Sequence, residues 1–238
     1  MTPHLDAAGL PVGRPVPDWQ PPPALEAVEL TGRHVSLRPL RPGDDAPGLY
    51  DALGGTEIPA ALFTYLGVDP PGSLTETVGV LDAALSMPDS AAFALVVAGQ
   101  VVGMASYLRI TPAHGCVEIG NILYSPVLQR TTAATEAMHL LAEHAFASGY
   151  RRYEWKCDAL NAPSRAAALR LGFAFEGVFR DAMVYKGRNR DTAWYSITAP
   201  EWPAIRDAQR RWLDTAQDGS PTTSLSALTA DLRDATAG

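Results

Sequence analysis

The sequence predicts an α+β domain, built as a mixed β-sheet in a three-layer α/β/α arrangement. Three observations carry that reading. Residues 117–171 run strand, helix, strand, helix, which requires a local parallel crossover. Hairpin signals at 92–109 and 173–197 require antiparallel pairing beside it. Hydrophobic residues make up 47% of the 238 positions and charged ones 19%, enough apolar surface for a sizeable core and too much for a disordered chain. A purely parallel Rossmann sheet does not follow from this pattern.

The elements take their places in order. Residues 1–30 hold Pro15, Pro17, Pro21, Pro22 and Pro23 and lack periodicity, so they are expected to form an arm over the surface or a partly mobile one. Val35 and Leu37 alternate with polar neighbours as a first strand. Pro42 suits a helix start, Leu49, Tyr50 and Leu53 follow at helical spacing, and Gly54-Gly55 ends the segment. A second helix is expected over about 73–87, with Leu74, Val78, Leu81 and Leu85 on one face and Pro88 as its stop. Ala92–Ala98 and Val101–Arg109 read as strands joined at Gly99-Gln100. Val117–Tyr124 is a further strand.

The helix from about Thr132 to Ser148 directs Ala134, Met138, Leu141 and Ala145 inward and Glu136, His139 and Glu143 outward, with Gly149 after its end. Tyr153–Asp158 is a short strand and Ala162–Leu171 a short helix closed by Gly172. Phe173–Tyr185 and Arg190–Ile197 pair around a turn at 186–189, whose Lys186, Arg188 and Arg190 suit a solvated hairpin tip. Trp202, Ile205 and Trp212 dock a final helix. Beyond it, Leu225, Leu228 and Leu232 offer one weak helical stripe, and the stretch is read as a tail. The expected division is an arm at 1–30, a domain at 31–213 and a tail at 214–238.

The net charge of -7 argues against broad nucleic-acid binding and weakly favours a cationic partner. Cys116 and Cys157 form no C-x-x-C pair and no zinc spacing, so ordinary reduced thiols and no metal site are expected. The N-terminus lacks the basic and apolar blocks of a secretory signal. No apolar run approaches the roughly 20 residues that span a bilayer. These features predict a soluble, cytoplasmic protein with no membrane partner.

The most informative stretch follows the strand at 117–124. At Gln129-Arg130-Thr131-Thr132-Ala133-Ala134 the chain turns into a helix with small residues at its mouth. First-turn N–H groups there point outward and the helix dipole favours negative charge, which makes a phosphate-bearing ligand the leading expectation. Arg130 would add a charge-assisted bond. Thr131 or Thr132 could equally be a plain cap. The stretch is neither a Walker loop nor a G-x-G-x-x-G fingerprint. In Asn161-Ala162-Pro163-Ser164, Asn161 suits an N-cap and Pro163 the first turn.

From about Arg33 to Ile197 the chain resembles the GCN5-related N-acetyltransferases (GNAT), particularly the branch that acetylates the N-termini of ribosomal proteins (RimJ/RimL-like). Glu118-Ile119-Gly120, Ala134-Thr135-Glu136-Ala137, Asn161-Ala162-Pro163-Ser164 and Leu171-Gly172-Phe173 stand in the family's order and spacing. Gln129 and Ala134 match the ends of its Gln/Arg-x-x-Gly-x-Gly/Ala cradle. Thr132 departs from the first glycine and is tolerable only at an ordinary negative φ with room around its Cβ.

The resemblance implies a GNAT-like sheet with splayed central strands, and acetyl-CoA as cosubstrate, succinyl-CoA being the alternative. It implies cofactor contacts from Asn121, Ile122 and Leu123, from Gln129 to Ala134, and from Asn161, Ser164 and Arg165. The backbone at 121–123 would bind the pantetheine arm and polarise the thioester, and Asn161 would hydrogen-bond the acyl-CoA arm. Glu118 is the favoured general base and Asp158 the second candidate. The family's α-helical Tyr acid is missing between Ala166 and Leu169, so Ser164 or water would serve the leaving thiolate, or the thiolate would leave without a dedicated acid. His139 and His144 are not expected to act. The implied reaction is direct acyl transfer to a primary amine of a peptide, protein or small molecule. A non-catalytic CoA-binding module is the rival, and a homodimer fits the branch.

Overall fold

The computed structural model describes residues 4–215 and 223–234. A small hairpin, β1 (His4–Leu5) with β2 (Pro11–Val12), stands apart. The main sheet contains β3 (Leu30–Thr31), β4 (Ser36–Pro39), β5 (Ala91–Val97), β6 (Gln100–Thr111), β7 (Cys116–Tyr124), β8 (Arg152–Asp158), β9 (Ala174–Tyr185) and β10 (Arg188–Thr198). Its eight strands lie in the order β3-β4-β5-β6-β7-β8-β10-β9. Among the described residues only β7 and β8 pair in parallel, as the crossover required.

Helices cover both faces and make the expected three layers. On one face α1 (Pro42–Leu53) and α2 (Leu74–Leu85) bury Leu49, Leu53 and Leu81 against Ala94, Met104 and Leu123. On the other, α3 (Thr132–Ala147), α4 (Ala162–Arg170), α5 (Trp202–Thr215) and α6 (Leu225–Asp234) cover a larger core centred on Phe93, Tyr107, Tyr153, Trp155 and Tyr195.

The first hairpin turn keeps its expected two residues but is shifted by one, and the second has two residues where the sequence suggested four. Ala98 and Gly99 turn at φ 49° and 79°, and Lys186 and Gly187 at 48° and 68°, the left-handed pairs that match strand twist in two-residue loops. Lys186 is docked, not solvated: its Nζ donates to the Phe63 carbonyl at 2.8 Å and meets Asp69 at 3.1 Å.

The arm lies across the domain. Trp19 Nε1 donates to Ala113 O, Tyr150 OH donates to Pro23 O, and Leu25 enters the main core. Residues 1–3 lie outside the described residues. Of the stretch read as a tail, 216–222 and 235–238 also lie outside them. Between these, α6 packs on α4 and α5 with Leu225 and Thr229 buried, so the weak leucine stripe is a docked helix.

Glu136 and His139 correct the reading of α3. Both are buried because the helix is covered on two flanks, by the sheet and by α5 with the β3–β4 turn. His139 Nδ1 lies 2.8 Å from Gln209 Oε1, and the His139 ring lies against that of Trp202. Burial pushes the His139 imidazole below its ordinary value, partly offset by Gln209, and burial does the same to His144. With the folded value depressed, both states hold neutral imidazole above about pH 6.5, and below it the unfolded chain takes up protons that the fold refuses. The melting temperature is therefore expected to fall as pH drops from about 7 to about 5. His139→Gln should flatten that slope in a thermal-melt series; an unchanged slope would assign the loss to other groups.

Candidate active site

The site begins where the sheet opens. Parallel pairing runs from Cys116↔Arg152 to Ile119↔Trp155 and stops there, although β7 continues to Tyr124 and β8 to Asp158. The β7 edge facing β8 is thus unpaired across Asn121, Ile122 and Leu123. A bulge drives the separation: the β6–β7 register jumps between Ser106↔Gly120 and Met104↔Leu123, and Asn121 takes φ 49°. Such bulges bend a strand away from its neighbour and re-aim its side chains. The Asn121 amide reaches Met87 Sδ at 3.0 Å.

The mouth of α3 lies just beyond the end of β7. Thr131 is its cap: its hydroxyl accepts from the Ala134 N–H at 3.1 Å and donates to Leu128 O at 2.7 Å. That leaves Thr132 and Ala133 as first-turn donors. The left-handed residue is Arg130, at φ 61°. Thr132 begins the helix at ordinary negative φ, so a threonine fits where a glycine was expected. Gln129 donates to Tyr124 O at 3.4 Å, bracing the turn. Arg170, which the sequence reading passed over, donates to Thr135 at 3.0 Å and sets a second cation near this mouth.

The start of α4 follows the end of β8. Asn161 Oδ1 accepts from the Ser164 N–H at 3.1 Å, which makes it the cap and leaves its amide nitrogen available. Ser164 Oγ accepts from Trp155 Nε1 at 3.0 Å. Indole N–H can only donate, so the serine hydrogen points elsewhere. Arg165 stays exposed and donates to Tyr195 OH and Ala159 O at 3.0 and 3.2 Å. Asp158 is fully engaged: its oxygens accept from Leu160 N–H and Tyr185 OH, each at 2.8 Å. Burial first, and Asp158 second, push the Tyr185 phenol up to about 12. Both thiols are free, and burial pushes both upward, which suits neither for nucleophilic work.

Glu118 lies one residue before the last parallel pair and is 2% exposed. Its Oε2 takes Arg109 Nε at 2.8 Å and Lys156 Nζ at 3.2 Å. Arg109 also holds Glu154, Arg152 meets Glu154 at 2.6 Å, and Arg152 forks onto Glu176. Arg109 and Lys156 both lie over the Trp194 ring, at 4.8 and 5.5 Å. A cavity of about 470 Å³ opens here, bounded by Met87, Asp89, Arg109, Glu118 and Lys156. Asp89 and Arg109, like Asn121, have φ between 47° and 49°. Strained residues gather where a site over-determines them.

Gly120 keeps this corner open. A Cβ there would sit 2.6 Å from Leu108 Cδ1 and 3.2 Å from Glu118 Oε1. Gly120→Ala is expected to shift the carboxylate and lower kcat by about ten- to hundredfold, with a smaller change in melting temperature. Steady-state rates on folded protein check this.

The acetyltransferase (GNAT) domain model matches residues 34–174. The chain belongs to the GNAT acetyltransferase family. A solved GCN5-related N-acetyltransferase from Brucella melitensis is 40% identical, with a TM-score of 0.85 over 90% of this chain and 100% of that one. A GNAT-family structure from Chromobacterium violaceum is 36% identical, with a TM-score of 0.76 over 82% and 98%. A Salmonella typhimurium acetyl transferase described as modifying the N-terminal serine of ribosomal protein L7/L12 shares the fold at 21% identity, with a TM-score of 0.60 over 70% and 96%. No curated protein matches the chain in a sequence comparison.

This acetyltransferase is accordingly an acetyl-CoA-dependent acyltransferase, and its own residues fit that cosubstrate. The unpaired β7 edge, the open first turn of α3 and the α4 start all lie at the carboxyl ends of the parallel strands, where α/β sheets bind ligands. Sequence reasoning missed Arg109, Lys156 and Tyr185 in the acetyltransferase. The available signal was period-2 alternation, which puts Glu154, Lys156 and Asp158 on one face of β8. Among the described residues no helix is long and apolar enough to cross a membrane. Nor does any group of three or more His, Cys, Asp or Glu among them form a candidate metal site.

Proposed function

We propose that the enzyme acetylates a primary amine by direct attack on acetyl-CoA in a ternary complex, with Glu118 as general base and Ser164 as general acid. The observation that carries this reading is the Glu118 carboxylate. It is buried beside the point where β7 and β8 part, and two cations hold Oε2. Its Oε1 has no hydrogen-bond partner among the described residues and lies against the open Gly120 corner.

An amine entering the cavity gives its proton to Oε1 as its nitrogen bonds to the thioester carbon. The carbon–sulfur bond then breaks, the thiolate takes the Ser164 proton, and Glu118 Oε1 passes the amine's proton back to Ser164 through water, so that both groups regain their starting states. Backbone N–H groups on the unpaired edge at 121–123 stabilise the oxyanion and align the pantetheine arm. The Thr132 and Ala133 N–H groups, with Arg130, hold the pyrophosphate, and the Asn161 amide nitrogen holds the acyl arm. Asp158 and Arg165 position: Asp158 ties the β9–β10 tip through Tyr185, and Arg165 ties α4 to β10. Acetyl-CoA supplies the activated acyl group when bound.

The acceptor reading extends to the RimJ/RimL-like branch, supported by the sequence motifs and by the activity described for the Salmonella acetyl transferase. Initial-rate kinetics with acetyl-CoA and a panel of peptide N-termini, amino sugars and polyamines test the proposal. Intersecting double-reciprocal lines are expected, with CoA release matching amide formation. Parallel lines would indicate an acetyl-enzyme and overturn direct attack. CoA binding without turnover on any amine would overturn the reaction itself.

A further inference from the structure

A second cavity, of about 620 Å³, lies at the opposite end of the parallel pair, where arm residues 14–19 cross the starts of β7 and β8. Its size falls within the usual range for small-ligand pockets. Val16, Pro17, Trp19 and Pro200 give it apolar walls, and Arg14, Arg151 and Arg152 give it charge. No Asp or Glu lines it, in a chain whose net charge is -7. Arg14 and Arg151 form no ion pair with any described carboxylate. An uncompensated guanidinium pair beside flat apolar walls suits an anion, because guanidinium forks match carboxylate and phosphate oxygens.

The wall is built, not incidental. Trp19 donates to Ala113 O at 3.3 Å, and Arg151 lies 5.6 Å from the Trp19 ring centroid. Gly115, at φ 61°, makes room for that ring: a Cβ there would stand 2.6 Å from Trp19 Cη2. The paired stretch from Cys116 to Ile119 separates this cavity from the splay.

We propose that the cavity is a second ligand site, taking a small organic anion with a flat apolar body. The guanidinium groups of Arg14 and Arg151 take the anion, and Trp19 with the prolines takes the body. Arg152 also belongs to the ion-pair chain that reaches Glu118 through Glu154 and Arg109. Binding is therefore best read with the acyl-donor cleft saturated by CoA, which keeps the two sites apart.

Calorimetry on the full chain with excess CoA tests the proposal with phenyl phosphate as probe, and benzoate in parallel separates a phosphate from a carboxylate. Saturable one-site binding is expected, tighter than that of inorganic phosphate or phenol. Arg14→Glu and Arg151→Ala should each weaken it about tenfold or more. Arg14 sits exposed on the arm, so its variant should keep the wild-type melting temperature. Failure of both phenyl phosphate and benzoate to bind, or affinities unchanged in both variants, would overturn the site. Equal affinity for inorganic phosphate would overturn the flat body.

Discussion

Glu118→Gln is expected to lower kcat by about two to four orders of magnitude while the affinity for acetyl-CoA stays within about twofold of wild type. The amide keeps the shape of the carboxylate and one acceptor oxygen. It loses the ability to take a proton, and it loses the charge shared by Arg109 and Lys156. Arg109 retains Glu154, so the corner stays folded. The donor contacts proposed at the α3 mouth and along the unpaired β7 edge are not touched, which is why the loss is expected to fall on kcat. Rates measured from about pH 6 to about pH 9 should lose the rising limb that a general base produces. Wild-type turnover in the variant across that range would remove Glu118 from the base role. Asp158→Asn makes the contrast: both Asp158 oxygens already hold Leu160 and Tyr185, so its loss should loosen the β9–β10 tip and act mainly on the acceptor KM.

The parallel crossover and the capped start of α3 were legible because local chemistry announces them. Small residues follow the β7 strand at the α3 mouth, and Asn161-Ala162-Pro163 opens α4 by capping rules that need no tertiary partner. The ion-pair chain was not legible in the same way. Alternation aligns Glu154, Lys156 and Asp158, but bringing Glu118 beside Lys156 requires the β7–β8 register, in which Glu118 stands opposite Glu154. The bulges were hidden for a related reason. Arg109 and Asn121 sit at positive φ where the β6–β7 register shifts, and no side-chain signal marks such a residue in advance. Helix amphipathicity likewise failed for α3, since a two-sided environment buries polar residues that the periodicity assigns to solvent.

Glu136 shows what that two-sided burial costs to undo. Its carboxylate accepts from the Arg33 N–H at 2.9 Å and from the His34 N–H at 2.6 Å, holding the β3–β4 turn on the flank of α3. The fit is close: a Cβ on Gly32 would fall 2.5 Å from the carboxylate carbon. Glu136→Ala strips both amides of their acceptor and leaves a hole beneath the turn, an expected loss of about 2–4 kcal/mol. Glu136→Gln is no rescue, because its NH2 must face one of two backbone donors. It should cost about 1–3 kcal/mol. A solvated glutamate, as the periodicity reads it, would lose no more than about 0.5 kcal/mol in either variant. Urea unfolding of the three proteins separates the two pictures, since the expected gap exceeds the usual error of the extrapolated free energies. Acetyl-CoA affinity of the folded variants should change far less than stability, because Glu136 anchors the edge of the sheet while the first-turn amides of α3 face its mouth.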